Sequence, residues 1–191
     1  MEKIKDFARK NFIPIVRDET AKYLEKCCHD LMPDKILEIG TAIGYSGILM
    51  LRACNGNLWT IEKDVERFNM ACENFKFYKL ENRVQVFNDD ALNVLNKLAE
   101  NDEKFEFIFL DGAKGQYIKY YPIIKNLLKK GGLLFADNVL MGGLVENFSK
   151  VTHKKRAMVR HMIEFNNLVM DDEDFVSELI KIDDGFIIAK K

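Results

Sequence analysis

The sequence predicts an α/β fold, a mostly parallel β-sheet with helices on both faces and an antiparallel hairpin at its end. Three observations predict it. Apolar runs of strand length alternate with amphipathic stretches of helical spacing. Nearly every apolar run ends on an acid. The last stretch, "DFVSELIKIDDGFIIAKK", breaks the alternation with two strand-like runs in succession.

In chain order, 17–31 reads as a helix ahead of the first strand, "KILEIG" (35–40). Helical spacing follows over 44–54, then a strand, "LWTIE" (58–62), and a helix over 65–78. "RVQVFN" (83–88) is the third strand, 91–99 a helix, and "FEFIFLD" (105–111) the fourth strand. A helix over 117–129 leads to "GLLFAD" (132–137), and 153–170 reads as another helix. Strand–helix–strand units at this rhythm give parallel pairing covered on both faces. Asp183-Asp184-Gly185 is a turn signal between the last two runs and predicts the hairpin. Trp59 and Phe105, Phe107 and Phe109 read as core.

No linker, repeat or low-complexity segment interrupts the 191 residues, so one domain over 1–191 is expected. A net charge of −1 provides no global field for a polyanion. Cys27, Cys28, Cys54 and Cys72 contain no C-x-x-C, which argues against a zinc site or a disulfide framework and fits a reducing compartment. The first residues, "MEKIKDFARKNF", lack an apolar signal core, and no apolar run reaches the ~20 residues of a membrane span. A cytoplasmic protein without membrane contact is the expectation.

In an open parallel sheet, ligands sit beyond the carboxyl ends of the strands. The residues there are Glu38 and Gly40, Glu62, Asp89 and Asp90, Asp111, and Asp137 with Asn138. In "EIGTAIGYSG", Gly40 and Gly44 allow close backbone approach to a ligand, and Ser46 can cap or donate. The spacing is G-x-x-x-G, not the G-x-G-x-x-G of pyrophosphate binders, and no Walker lysine follows. Glu62, ending the second strand, suits the hydroxyls of a ribose. Asp90 and the Ala91 N–H suit an adenine edge; Asp90 equally suits an N-cap for the next helix. Asp111, Asp137 and Asn138 end two strands expected to be neighbours. They offer hard oxygens for an open divalent-metal site, and Mg²⁺, Mn²⁺ and Ca²⁺ all accept such donors.

"LEIGTAIGYS", "IEKD", "DDA", "FLDGAK" and "ADNV" resemble, in order and spacing, the metal-dependent class I O-methyltransferases that use S-adenosyl-L-methionine, the group of catechol and caffeoyl-CoA O-methyltransferases. The resemblance implies a Rossmann-like, seven-stranded sheet closed by the terminal hairpin, with 1–31 as a helical segment covering the cofactor site. It implies that Gly40 lies against the methionine part of the cofactor and Ser46 holds its carboxylate. By the same resemblance Glu62 takes the ribose, and Asp90 and Ala91 the adenine. Val16 lies in the covering segment, Asp111, Asp137 and Asn138 bind the metal, and Lys114 assists deprotonation of the acceptor hydroxyl. Glu38, Gly44 and Asp111 join the cofactor-binding set. Gly112 and Asn88 depart from the residues frequent at those positions. A homodimer is also implied.

"DGAKGQYIKYYPIIKNLLKKGG", "DNVLMGGLV", "KKRAMVRHMIEFN" and "DDGFIIAKK" are similar to the bacterial tRNA 5-hydroxyuridine methyltransferases. The partner so implied is a tRNA anticodon loop, with a small catechol-like acceptor as the alternative. Lys150, Lys154, Lys155, Arg156 and Arg160 would attract phosphates, or simply form a solvated helix face. Tyr117, Tyr120 and Tyr121 are open between base stacking and core. A nicotinamide oxidoreductase is disfavoured by the absent G-x-G-x-x-G.

Overall fold

The computed structural model describes residues 1–191 and contains one seven-stranded sheet. The strands are β1 (Lys35–Ile39), β2 (Asn57–Ile61), β3 (Val84–Phe87), β4 (Phe105–Leu110), β5 (Leu128–Asp137), β6 (Val176–Ile180) and β7 (Phe186–Lys190). Their order is β3-β2-β1-β4-β5-β7-β6. The first five run parallel, and β7 inserts antiparallel between β5 and β6. The expected parallel sheet with a closing hairpin is therefore present.

Seven helices cover it: α1 (Glu2–Lys10), α2 (Asp18–Leu31), α3 (Tyr45–Ala53), α4 (Val65–Phe77), α5 (Ala91–Glu100), α6 (Tyr117–Leu127) and α7 (Arg156–Met170). Alternate residues of each strand point to opposite faces. Ile36, Phe107, Phe109 and Phe135 pack with α1 to α4, while Leu37, Ile108, Leu110 and Leu134 pack with α5 to α7. Both faces are thus dry, which is why the strands read as apolar runs without polar alternation. No helix is long and apolar enough to cross a membrane.

Two boundaries differ from the sequence expectation. The helix expected over 117–129 stops at Leu127, and the next strand starts at Leu128 rather than residue 132. Leu128 pairs with Phe105, whereas Leu133 pairs with Phe107, so the intervening residues bulge. Lys191 holds the bulge, accepting from Gly131 N and donating to Gly132 O. The expected helix over 153–170 begins as a 3-10 turn at His153–Lys155 and becomes α-helical at Arg156.

Strand order reverses between β1 and β4, where a crevice opens beyond the carboxyl ends. Gly40 lies there with φ +104, and a Cβ on it would stand 2.4 Å from the Asp111 carbonyl oxygen. Only glycine lets these two strand ends meet.

Candidate active site

A cavity of about 610 Å³ occupies the crevice. Its wall includes Gly40, Glu62, Asp90, Ala91, Asp111, Lys114 and Asn138, so the structure brings most of the expected site residues together. Pro14 and Ile15 close one side, in the extended segment between α1 and α2. Neighbouring Val16 is not in the wall; it is buried in the core.

The half of the cavity around Glu62 is built from completed hydrogen bonds. One carboxylate oxygen of Glu62 accepts from Ala42 N and the other from Asp64 N, each at 2.9 Å. Asn88 donates to the backbone oxygens of Glu62 and Lys63 at 2.9 and 3.2 Å. Its side chain thus ties the end of β2 to the segment after β3. Asp90 caps α5, accepting from Leu92 N at 3.0 Å, and pairs with Lys63 at 3.0 Å. The N-cap reading of Asp90 holds alongside its place in the cavity wall.

Glu38, Gly44 and Ser46 lie behind this wall rather than in it. Glu38 is fully buried and accepts hydrogen bonds from Ser46 Oγ and from Thr60 Oγ1. Burial pushes its carboxyl up to about 7, against the lowering effect of both hydroxyls. Gly44 faces the Phe75 ring, and a Cβ there would stand 3.1 Å from it. These residues support the glycine loop from beneath.

The other half is charged and incomplete. Leu110 and Ala136 are register partners, so Asp111 and Asp137 leave β4 and β5 side by side. Asp137 is 1% exposed; its Oδ1 accepts from Asn138 N at 2.6 Å, while Oδ2 has no partner. Burial, then the nearby Asp111 charge, raises the Asp137 pKa well above the usual carboxylate range. Asn138 has φ +55, a left-handed conformation that asparagine tolerates better than most residues. Lys114 Nζ donates to Asp111 Oδ1 at 2.6 Å, to Tyr117 Oη at 3.0 Å and to the Asp137 carbonyl at 3.4 Å. Burial opposes its charge, but Tyr117 and Asp111 outweigh that and hold its pKa above the ordinary lysine value. It stands as an ammonium donor.

The donor set suits a hard divalent cation. A buried, unpaired carboxylate oxygen is costly, and a cation satisfies it without a proton. No three His, Cys, Asp or Glu side chains converge in the fold, at this site or any other. The expected set is instead two acids and an amide.

Sequence reasoning missed Tyr117 as a site residue. It is fully buried, and its hydroxyl donates to Leu110 O at 2.9 Å and reaches Asp137 O at 3.3 Å. Its position three residues after Lys114 was the available signal. Tyr120 and Tyr121 are also buried, which favours core over exposed stacking surface, although Tyr120 reaches the cavity. The five basic residues at 150, 154, 155, 156 and 160 are exposed and form no ion pair. Two of them, Arg156 and Arg160, belong to α7, which packs on the Lys114 loop through His161, whose Nδ1 lies 3.3 Å from Gly115 O.

A family model described as O-methyltransferase matches residues 1–191. The chain belongs to the O-methyltransferase family. Catechol O-methyltransferase of Niastella koreensis is 35% identical over 133 residues, 68% of this chain and 60% of that one. Caffeoyl-CoA O-methyltransferase of Populus kitakamiensis is 28% identical over 82% of this chain and 69% of its own length. Among solved structures, the O-methyltransferase from Bacillus cereus in complex with SAH (S-adenosylhomocysteine) superposes with a TM-score of 0.88. It is 26% identical, with 99% of this chain and 89% of that one covered. The O-methyltransferase fold expected from the strand-end motifs is thus established, with the seven-stranded class I sheet.

Proposed function

We propose that this chain is a divalent-metal-dependent O-methyltransferase. It moves a methyl group from S-adenosylmethionine to the 5-hydroxyl of wobble 5-hydroxyuridine in a tRNA anticodon loop, giving 5-methoxyuridine. One observation carries the metal-assisted chemistry. Asp137 Oδ2 is buried without a partner, just behind the cavity wall that Asp111, Asn138 and Glu62 line.

When bound, the sulfonium supplies the methyl, and Mg²⁺ (or Mn²⁺ or Ca²⁺) supplies a Lewis acid that favours an ionised acceptor hydroxyl. Asp111, Asp137 and Asn138 would hold the cation. Glu62, already oriented by two backbone N–H groups, accepts from ribose hydroxyls. Gly40 allows the cofactor to approach the backbone, and Pro14 and Ile15 exclude water from that side. Lys114, kept charged by Asp111 and Tyr117, attracts the acceptor oxyanion rather than removing its proton. The structures of relatives with SAH and, from Streptomyces achromogenes, with SAM support the cofactor.

The exposed basic residues at 150, 154, 155, 156 and 160 favour a polyanionic acceptor. An anticodon loop offers an unstacked base at little cost. The catechol and caffeoyl-CoA relatives favour a second reading, a small catechol-type acceptor. Nucleoside mass spectrometry of tRNA from a deletion strain separates the two. Loss of 5-methoxyuridine with accumulation of 5-hydroxyuridine is expected. An unchanged profile, with catechol methylated by the purified protein, assigns the small-molecule acceptor.

A further inference from the structure

Because β7 runs antiparallel to β5, the residues before β7 lie at the same rim as those after β5. Asp137 is the register partner of Phe186, which places the turn Asp183-Asp184-Gly185 against the loop 138–142. The contacts are specific. Val139 N donates to Gly185 O at 2.9 Å and Leu140 N to Asp184 O at 3.0 Å, while Gly142 N donates to the Asp184 carboxylate. Gly185 has φ +68, and a Cβ there would stand 2.4 Å from Leu140 Cγ. No other residue allows this approach without displacing the loop.

The same turn also reaches the start of α2. Helix α2 begins after Arg17, whose side chain makes no capping hydrogen bond. The cap comes from Asp183 instead. One oxygen of its carboxylate accepts from Thr20 N and from Thr20 Oγ1, both at 2.9 Å, across 163 residues of sequence. Thr20 is 1% exposed, while Asp183 is exposed and reaches it from the solvent side. An acid satisfying orphan N–H groups at a helix start fixes where that helix begins. Here the start of α2 fixes the segment carrying Pro14 and Ile15.

We propose that this turn is a positioning device with two arms. Asp183 sets the segment that covers the cofactor pocket, and Asp184 with Gly185 holds Asn138 in its left-handed conformation at the acceptor rim. Neither aspartate lines the cavity, so both act through other residues. The proposal rests on the methyltransferase reading of that cavity.

The test measures SAH binding by calorimetry and Mn²⁺ binding by electron paramagnetic resonance on the full chain. Wild type must bind SAH; if it does not, the methyltransferase reading itself falls, and this proposal with it. Asp183→Ala is expected to weaken SAH about tenfold with Mn²⁺ unchanged, and Asp184→Ala to weaken Mn²⁺ about tenfold with SAH unchanged. Thr20→Val should reproduce part of the first effect and add little to it in the double variant, and Asp183→Asn should rescue it in part. These two milder changes carry the test if Asp183→Ala does not fold. With wild type binding SAH normally, unchanged affinities in all variants overturn the proposal alone. So does an equal loss of both ligands in each variant, which would make the turn a general support of the fold.

Discussion

The two halves of the crevice are built on opposite principles. On the cofactor side, Glu62 has a backbone donor on each oxygen, and Asp90 has a helix N–H on one and Lys63 on the other. On the acceptor side, Asp137 Oδ2 is buried with none, and the Asp111 charge beside it makes ionisation harder. The first wall is rigid before any ligand arrives, so binding costs little reorganisation. The second retains unfavourable electrostatics that a proton or a bound cation would relieve. If the proposed cofactor binds by shape and the proposed cation by charge, the two should be lost separately.

The strongest way to break that separation is Asp137→Ala. It should reduce turnover about a thousandfold while SAH binding changes less than about twofold. EDTA should abolish turnover equally, and added Mg²⁺ should restore it only in wild type. A variant that loses SAH binding together with turnover would show the halves to be one unit.

Next in size is a pH effect on stability. Glu38 is held near 7 when folded, against an ordinary 4.5. The folded state therefore binds the proton more tightly than the unfolded state. Glu38 stabilises fully below about pH 4.5, and that contribution is lost as pH rises through 7, on the order of 3 kcal/mol in all. Urea midpoints should fall between pH 5 and pH 8, and Glu38→Gln should flatten the slope. A slope that survives the substitution would move the titration to Asp137, into the acceptor half.

What was legible in the sequence follows the same division. Strand ends are local features: an apolar run that stops at an acid marks the carboxyl rim of the sheet, and Gly40, Glu62, Asp111 and Asn138, singled out that way, all line the cavity. Partnerships between distant segments were not. Arg83 donates four hydrogen bonds to the carbonyls of Leu51, Cys54 and Gly56, closing the end of α3, yet nothing within "ENRVQ" points there. Asp183 read as a turn residue, which it is, with φ +54. Its second role, capping a helix formed far earlier in the chain, exists only once the sheet brings the two together. Ser46 was expected, by resemblance, to hold the cofactor carboxylate; in the structure its hydroxyl donates to Glu38, eight residues earlier and buried. A buried carboxylate outcompetes solvent for any nearby donor.

The smallest expected effect lies in Glu62→Gln, which sharpens the comparison by leaving the shape of the wall intact. Glutamine keeps one acceptor oxygen and turns an NH₂ toward either Ala42 N or Asp64 N, so one of the two backbone donors loses its partner. Glu62 is only half-buried, and water can reach the orphaned N–H, which limits the cost to that of one ordinary hydrogen bond. SAH binding should therefore weaken about fivefold, with Mn²⁺ affinity unaffected. A far larger loss would mean that the negative charge of Glu62, rather than its geometry, holds the cofactor. The cofactor wall would then be electrostatic in kind, like the acceptor wall, and the contrast between the halves would be one of degree.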